Sequence, residues 1–197
     1  MVENKENITT NKRIELFSGL ISDIISKEFY DWLIKNGFFT QPASTKYHGY
    51  YEGGLFDHSY EVTQVLLDMT KRLDLQWTRP ESPYIIGMFH DLCKIDNYIT
   101  VVDEPGDVMM GTGTTKGREI HFEYNPNVIL KGHADKSIML LSQFLTLTEE
   151  EMLCIRFHMG AYEGQDQWDA YDKAIKKYET VLWTHTADMY ASKVKNT

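Results

Sequence analysis

Seven histidines are spread through the chain, at positions 48, 58, 90, 121, 133, 158 and 185. One is followed directly by an acid, in Phe89-His90-Asp91-Leu92. The residues around this pair are apolar, so the run is expected to be buried. A buried carboxylate without a partner is costly, so a cation belongs beside Asp91. A metal ion is one such cation, and imidazole with carboxylate is a ligand set for borderline divalent metals. A lone histidine at a helix end or on an apolar face is more often structural, satisfied by a neighbour's hydrogen bond. That bland reading is weakest for His90.

The elements that must position these residues are read from apolar spacing and capping signals. Residues 1–12 are polar and read as a tail, and a single domain is expected over residues 13–197. From about Arg13 a helical pattern runs through Leu16, Leu20, Ile24 and Ile25. It continues over Phe29, Trp32 and Leu33 to a stop at Asn36-Gly37. Residues 38–54, with Pro42 and three glycines, read as a structured loop. A second helix is expected near Asp57, where His58, Val62, Leu66 and Met69 share a stripe and His58 ends an inward face. A third has Ser82 as N-cap and Pro83 at its first position, and runs into His90-Asp91.

Residues 98–124 differ in kind. Ile99-Thr100-Val101-Val102 is β-branched, Glu104-Pro105-Gly106-Asp107 signals a turn, and glycines recur at 111, 113 and 117. This reads as a β-hairpin inserted into a helical domain. Gly132-His133 opens a fourth helix, with Ile138, Leu141 and Phe144 on one face. Thr148 with Glu151 forms a capping box for a fifth, which ends at His158-Met159-Gly160. A last helix is expected from about Asp172 to Lys193, with Val181, His185 and Asp188 on one face. The expected fold class is all-α, a helical bundle with a small β-hairpin insertion. No repeat or linker divides it.

Composition bounds the function. The chain has 197 residues, 42% hydrophobic and 25% charged, as in an ordinary globular domain. Its net charge of −9 argues against an extended nucleic-acid surface but leaves a nucleotide substrate open, since bound ions supply local positive charge. Two cysteines, Cys93 and Cys154, cannot make a disulfide framework or a cysteine-rich zinc site. With no signal peptide at the N-terminus and no apolar run long enough to span a membrane, a cytoplasmic protein is expected.

The ordered motifs resemble the HD superfamily of metal-dependent phosphohydrolases. That family's pattern is a histidine, a His-Asp pair and a distant aspartate on a late helix. Here His58 in GGLFDHS, His90 and Asp91 in FHDLCK, and Asp188 in HTADMYAS match it. The segments QPASTKYHGYYEGGLFDHS, GHADKS and RFHMG are similar to a bacterial and phage subgroup. That subgroup is related to the HD portion of a 3′-to-5′ exoribonuclease that also carries an OB-fold. No basic OB-fold is attached here, which lowers the case for a polymer substrate.

The resemblance implies a site of two divalent transition-metal ions. His58, His90 and Asp188 would hold one, His133 and His158 the other, and Asp91 would bridge. Two such ions about 3.5–4 Å apart activate water as hydroxide and neutralise phosphate oxygens. Mn, Fe, Co, Ni and Zn all suit the ligands. The implied reaction is hydrolysis of a phosphate ester, a mono- or diester, with a nucleotide or short oligonucleotide as substrate.

Other residues are assigned beside the ligands. Lys94 matches the family's variant with a lysine three residues after the aspartate. It is a catalytic candidate that would touch phosphate or a ligating carboxylate, with a solvated lysine as the alternative. Lys136 in GHADKS is expected to point its ammonium at the phosphate, as a catalytic and substrate-binding group. His48 is expected to line the substrate entrance. His185, one turn before Asp188, is a substrate-side or supporting partner, or a packed core residue. Arg156 is expected in a surface salt bridge, His121 exposed in the hairpin, and Cys93 and the Met109-Met110 pair in packing.

Two rival functions stay open. Myo-inositol oxygenase and a phosphonate-cleaving relative use the same six ligands around two irons, although PASTKYH and GHADKS favour hydrolysis. A non-catalytic nucleotide sensor is the other, and its expected signature is a missing ligand.

Overall fold

The chain enters its first helix through Thr9, whose hydroxyl accepts the Lys12 amide. α1 (Thr10–Ile21) thus begins ahead of the expected Arg13. The apolar pattern that reads as one helix from Arg13 to Leu33 is in fact two. Ser26 accepts the Phe29 amide and caps α2 (Lys27–Lys35). A serine offers the backbone a bond outside the helix, so the chain restarts there although its apolar spacing continues. Gly37, at φ 83, ends α2 where Asn36-Gly37 signalled a stop.

The remaining elements are α3 (Gly54–Leu73), α4 (Ser82–Phe89), β1 (Tyr98–Val102), β2 (Ile120–Tyr124), α5 (Ala134–Leu141), α6 (Glu149–Arg156), α7 (Trp168–Lys177) and α8 (Thr180–Tyr190). The computed structural model describes residues 8–102, 120–162 and 164–195. The protein is an all-α bundle with one small antiparallel hairpin, in which Tyr98 pairs with Tyr124 and Val102 with Ile120. The turn signal at 104–107, the Met109-Met110 pair and glycines 111, 113 and 117 lie outside the described residues, as do residues 1–7.

Two further boundaries differ from the sequence reading. Ser82 is already helical and does not cap α4; its hydroxyl donates to Glu151 at 2.9 Å. The pattern expected as one helix from Asp172 to Lys193 is α7, a break at extended Tyr178, α8, and a π-helical turn over Ala191–Lys195. At that break Lys177 and Tyr178 both reach Glu149 at the start of α6. Helical spacing carries no sign of this long-range tie.

The core explains how the site is held. Phe17, Phe29, Phe38, Phe39, Phe56 and Phe89 are all nearly or fully buried. The Phe17 ring lies 5.3 Å from Phe39 and 6.2 Å from Phe89, and the two pairs meet edge to face. Such a contact adds about 0.5–1.5 kcal/mol beyond burial. Phe89 immediately precedes His90, so the aromatic cluster fixes the floor beneath the His-Asp pair.

Around this core, α3 packs on α4 and α8, and α6 packs on the same two helices, closing a ring. α3 and α4 approach closely at Gly87, where a Cβ would stand 2.6 Å from Thr63 Cα. The starts of α4 and α6 are tied by Glu151, whose side chain is fully buried. It accepts Arg79 at 2.7 and 2.8 Å, Ser82, and the Thr148 amide of the expected capping box.

Candidate metal centre

The ring, with α5 packed on α6 and on the turn after α4, brings all six expected ligands together. His58 sits in the first turns of α3, and Asp188 lies on α8. His90 and Asp91 leave the end of α4, where Asp91 takes φ −102 before a 3₁₀ turn over Leu92–Asp96. His158 follows α6, and His133 immediately precedes α5. Helix ends suit this task because their last carbonyls are free to orient side chains. His90 Nδ1 donates to Gly87 O at 3.0 Å and His158 Nδ1 to Ile155 O at 2.7 Å. Each bond fixes the tautomer and turns Nε2 inward.

The distances describe two imidazole pairs on either side of one carboxylate. His58 and His90 Nε2 are 3.3 Å apart, and each is 3.5 Å from Asp91 Oδ2. Asp188 Oδ1 lies 3.1 Å from His58 Nε2 and 3.9 Å from His90 Nε2. On the other side, His133 and His158 Nε2 are 3.0 Å apart, and they lie 3.0 and 3.6 Å from Asp91 Oδ1. Ligand atoms of His58, His90 and Asp188 lie within 4.8 Å of one another, and so do those of His90, Asp91 and His158.

These residues fit a metal ion. Two imidazoles bound at about 2.0–2.1 Å to one ion place their nitrogens about 2.8–3.4 Å apart. Both pairs fall in that range. Among the described residues, Asp91 Oδ1 is also a buried oxygen that accepts no hydrogen bond, as is Ser59 Oγ. His133 Nε2 is near Asp91 Oδ1 but outside hydrogen-bond geometry. Converging lone pairs and a buried carboxylate oxygen without a hydrogen bond leave room for positive charge beyond that of Lys94, which meets the other oxygen at 2.6 Å.

Electrostatics agree. Burial alone pushes the Asp91 carboxyl up, but Lys94, then His90 and His133, outweigh it and hold it well below the usual carboxylate range. For Asp188, burial is likewise outweighed, here by the His58 hydrogen bond and charge, and the carboxyl is held low. Burial pushes His133 down, yet Asp91 lifts it to about 10. Without an ion, a proton on His133 answers the same demand for positive charge.

A cavity of about 250 Å³ opens on this cluster, lined by His48, Asp91, Lys94, His133, Asp188 and Lys193, among others. Lys94 Nζ sits 2.6 Å from Asp91 Oδ2, so this lysine meets the carboxylate named as one of its two expected partners. Burial opposes its charge, but Asp91 raises its pKa. The His48 ring lies 4.8 Å from the His58 ring on the cavity wall. Burial, then His58 and Lys94, push its pKa down to about 4. A larger groove of about 600 Å³ runs over the outer faces of α3 and α8 and contains none of these groups.

Two sequence assignments do not match where the structure puts the side chains. Lys136 does not line the cavity; it is 1% exposed and its Nζ binds the Asp96 carboxylate and Asn97 Oδ1. Its position on α5, packed against the 3₁₀ turn, takes the ammonium away from the cluster. His185 does not line the cavity, against the substrate-side placement, but its Nδ1 donates to His158 O at 2.7 Å and its ring packs beside Gly160, as the supporting or packed alternative expects. At Gly160, with φ 54, a Cβ would stand 2.6 Å from that ring. Gly132 is also at positive φ, 120, but no atom crowds it.

Arg156 pairs with Asp135 at 2.9 Å, the expected surface bridge. His121 is partly exposed, 3.1 Å from Glu123. Cys93 is buried, but it also faces a candidate ligand: its Sγ is 3.4 Å from His133 Nδ1. Sequence reading missed Met159, Met189 and Lys193 on the cavity wall. The first two adjoin the candidate ligands His158 and Asp188 in the chain, and Lys193 lies just beyond α8, which carries Asp188. Those positions were the signal available.

No protein-family model matches the chain. No solved structure matches it. Over 65 residues it is 38% identical to a dihydroneopterin 2′,3′-cyclic phosphate phosphodiesterase of Methanocaldococcus jannaschii. That stretch is 32% of this chain and only 26% of the relative's length. The chain is thus similar, over part of its length, to a phosphodiesterase, and it contains buried His/Asp groups that could hold a metal.

Proposed function

We propose that the protein is a metal-dependent phosphohydrolase of the HD type, acting on a small phosphate ester such as a nucleotide or the end of a short oligonucleotide. The observation that carries this reading is Asp91, a buried carboxylate with an imidazole pair facing each oxygen. The partial likeness to a phosphodiesterase supports the hydrolase class, and the name of that relative brings cyclic phosphates into the substrate range. His58, His90 and Asp188 would hold one ion, His133 and His158 the other, and Asp91 both. Bound there, divalent ions supply Lewis-acid stabilisation of the phosphoryl charge and lower the pKa of water.

The chain's own groups do the rest. Lys94 reaches both Asp91 and the cavity, which supports a role for its ammonium in meeting a phosphate oxygen. Lys193 is a second cation on the wall, and Met159, Met189 and Tyr162 offer an apolar surface to an organic ring. His48 lines the approach. A cavity of about 250 Å³ suits a small substrate, and the net charge of −9 disfavours a polymer backbone. No described helix is long and apolar enough to cross a membrane, and the two free cysteines suit a reducing compartment such as the cytoplasm.

The test is metal analysis followed by a substrate panel on protein loaded with Mn²⁺, Fe²⁺ or Co²⁺. The panel holds p-nitrophenyl phosphate, bis(p-nitrophenyl) phosphate, nucleoside monophosphates, 2′,3′-cyclic nucleotides and dinucleotides. Ester cleavage abolished by chelation is the expected result. Oxygen uptake by iron-loaded protein with no ester cleaved would replace this reading with oxygenase chemistry. Nucleotide binding without turnover would make the protein a sensor.

A further inference from the structure

The imidazoles around Asp91 are not held alike. The Nδ1 of His90 and of His158 each binds a carbonyl of its own helix, and both rings are at most 1% exposed. His133 has neither feature. It stands outside regular structure, between Gly132 at φ 120 and the start of α5, and its side chain is 34% exposed. Its Nδ1 meets a side chain from 40 residues away, Cys93 Sγ at 3.4 Å. That sulfur is firmly placed: Cys93 is fully buried, and its amide donates to Ser137 Oγ on α5 at 3.0 Å.

We infer that Cys93 is a positioning residue for His133: its sulfur accepts the Nδ1–H, sets the tautomer and turns Nε2 toward Asp91 Oδ1. The inference rests on the two-ion reading. An imidazole offers Nε2 to an ion only when its proton sits on Nδ1, and the partner of that N–H fixes both tautomer and ring angle. Ligand atoms of Asp91, Cys93 and His133 also lie within 4.8 Å of one another, but Sγ faces the ring nitrogen opposite the one aimed at Asp91, so Sγ and Nε2 do not converge on one ion. The hold on one ion, between His133 and His158, therefore depends on Cys93. The hold of His58, His90 and Asp188 on the other does not.

The test is titration of the metal-free protein with Co²⁺, followed by calorimetry and visible absorption. The variants are Cys93→Ala, Cys93→Ser and, as a control, Cys154→Ala, an equally buried thiol beside Thr180. Loss of an outer hydrogen-bond partner weakens metal affinity by about 10–100-fold. Cys93→Ala is expected to weaken one Co²⁺ by about that factor, leave the other at wild-type affinity, and lower the melting temperature of the metal-free protein no more than Cys154→Ala does, since both remove a fully buried thiol. Cys93→Ser, which keeps an acceptor, falls between, and it carries the comparison if the alanine variant does not fold. Cys154→Ala binds both ions as wild type does.

Unchanged affinity for both ions in Cys93→Ala overturns the role. So does an equal loss at both, matched by a lower melting temperature, which would make Cys93 a packing residue. A thiolate-to-cobalt charge-transfer band in the wild type overturns it too, by making Cys93 a ligand. A wild type that binds only one Co²⁺ overturns the two-ion reading beneath it, a distinguishable failure.

Discussion

Asp91 is the residue on which both halves of the site converge, with one oxygen facing His58 and His90 and the other facing His133 and His158. Asp91→Ala should therefore lower the content of both ions and cut activity by more than the roughly 100-fold that marks loss of an outer partner. Metal analysis with turnover of the best panel substrate checks this; two retained ions and near-normal turnover would remove Asp91 from the centre. The two lysines nearby separate by what their ammonium groups touch. Lys94 contacts Asp91 on the cavity wall, so Lys94→Ala should lower kcat together with kcat/KM. Lys136 binds Asp96 and Asn97 in the turn that follows the His-Asp pair. Lys136→Ala should cost about 1–3 kcal/mol of stability. Its kinetic constants should move far less than those of Lys94→Ala. Denaturant melts beside kinetics decide, and a stable Lys136→Ala with collapsed kcat would return Lys136 to the phosphate.

At the scale of elements, the site depends on helix ends meeting. α4 and α6 deliver His90 and His158 from their C-terminal ends, and Glu151 joins their N-terminal ends through Arg79, Ser82 and Thr148. Glu151 is buried but its partner Arg79 is 34% exposed, and the same carboxylate completes a capping box, so Glu151→Ala removes a part-buried ion pair and a cap. Arg79 can be rehydrated, so the expected cost is about 1–3 kcal/mol. Because α4 and α6 then lose their common anchor, metal affinity should fall with stability, although Glu151 touches no ligand. A melt and a Co²⁺ titration on the same sample check this. Full stability in the variant would show that the aromatic cluster around Phe17 and Phe89 sets the helix spacing unaided.

For the whole molecule, α3, α4, α6 and α8 pack into a closed ring, so on the proposed two-ion reading folding and ion binding would be one equilibrium. The candidate ligands come from positions 58 to 188 and meet only in the folded chain. An ion that binds the folded state alone adds about 2.7 kcal/mol when free at 100 times its Kd. For a chain of this size that is about 5–11 °C in Tm. Loading with Mn²⁺ or Co²⁺ should raise Tm by about this much and chelation should reverse it. A Tm indifferent to metal would mean that the histidine cluster is held by hydrogen bonds and protons alone.

Some of this was legible in the residues themselves. The apolar neighbours of His90-Asp91 foretold its burial, and the two residues are 0% and 2% exposed. Thr148 and Glu151 announced a capping box that is present. Asn36-Gly37 marked a helix end, and the β-branched run at 99–102 marked a strand. All of these are short-range properties, set by periodicity, capping and flanking polarity within a few residues. What local pattern could not carry was which distant group each side chain would meet. The apolar spacing that joined α1 to α2 and α7 to α8 ran unbroken across turns that depend on Ser26 and on the grip of Lys177 and Tyr178 on Glu149. Lys136 stood one turn after His133, a spacing equally suited to the cavity and to Asp96, and the packing of α5 on the 3₁₀ turn chose Asp96. His185 shared a helical face with Asp188, yet its ring turns to the His158 carbonyl because Gly160 leaves room there. The approach of Cys93 to His133 spans 40 residues and exists only because α5 docks where α4 ends. Residue types and spacing determined the kind of chemistry available, and the packing of the helices decided which groups face the candidate metal centre and which hold it in place.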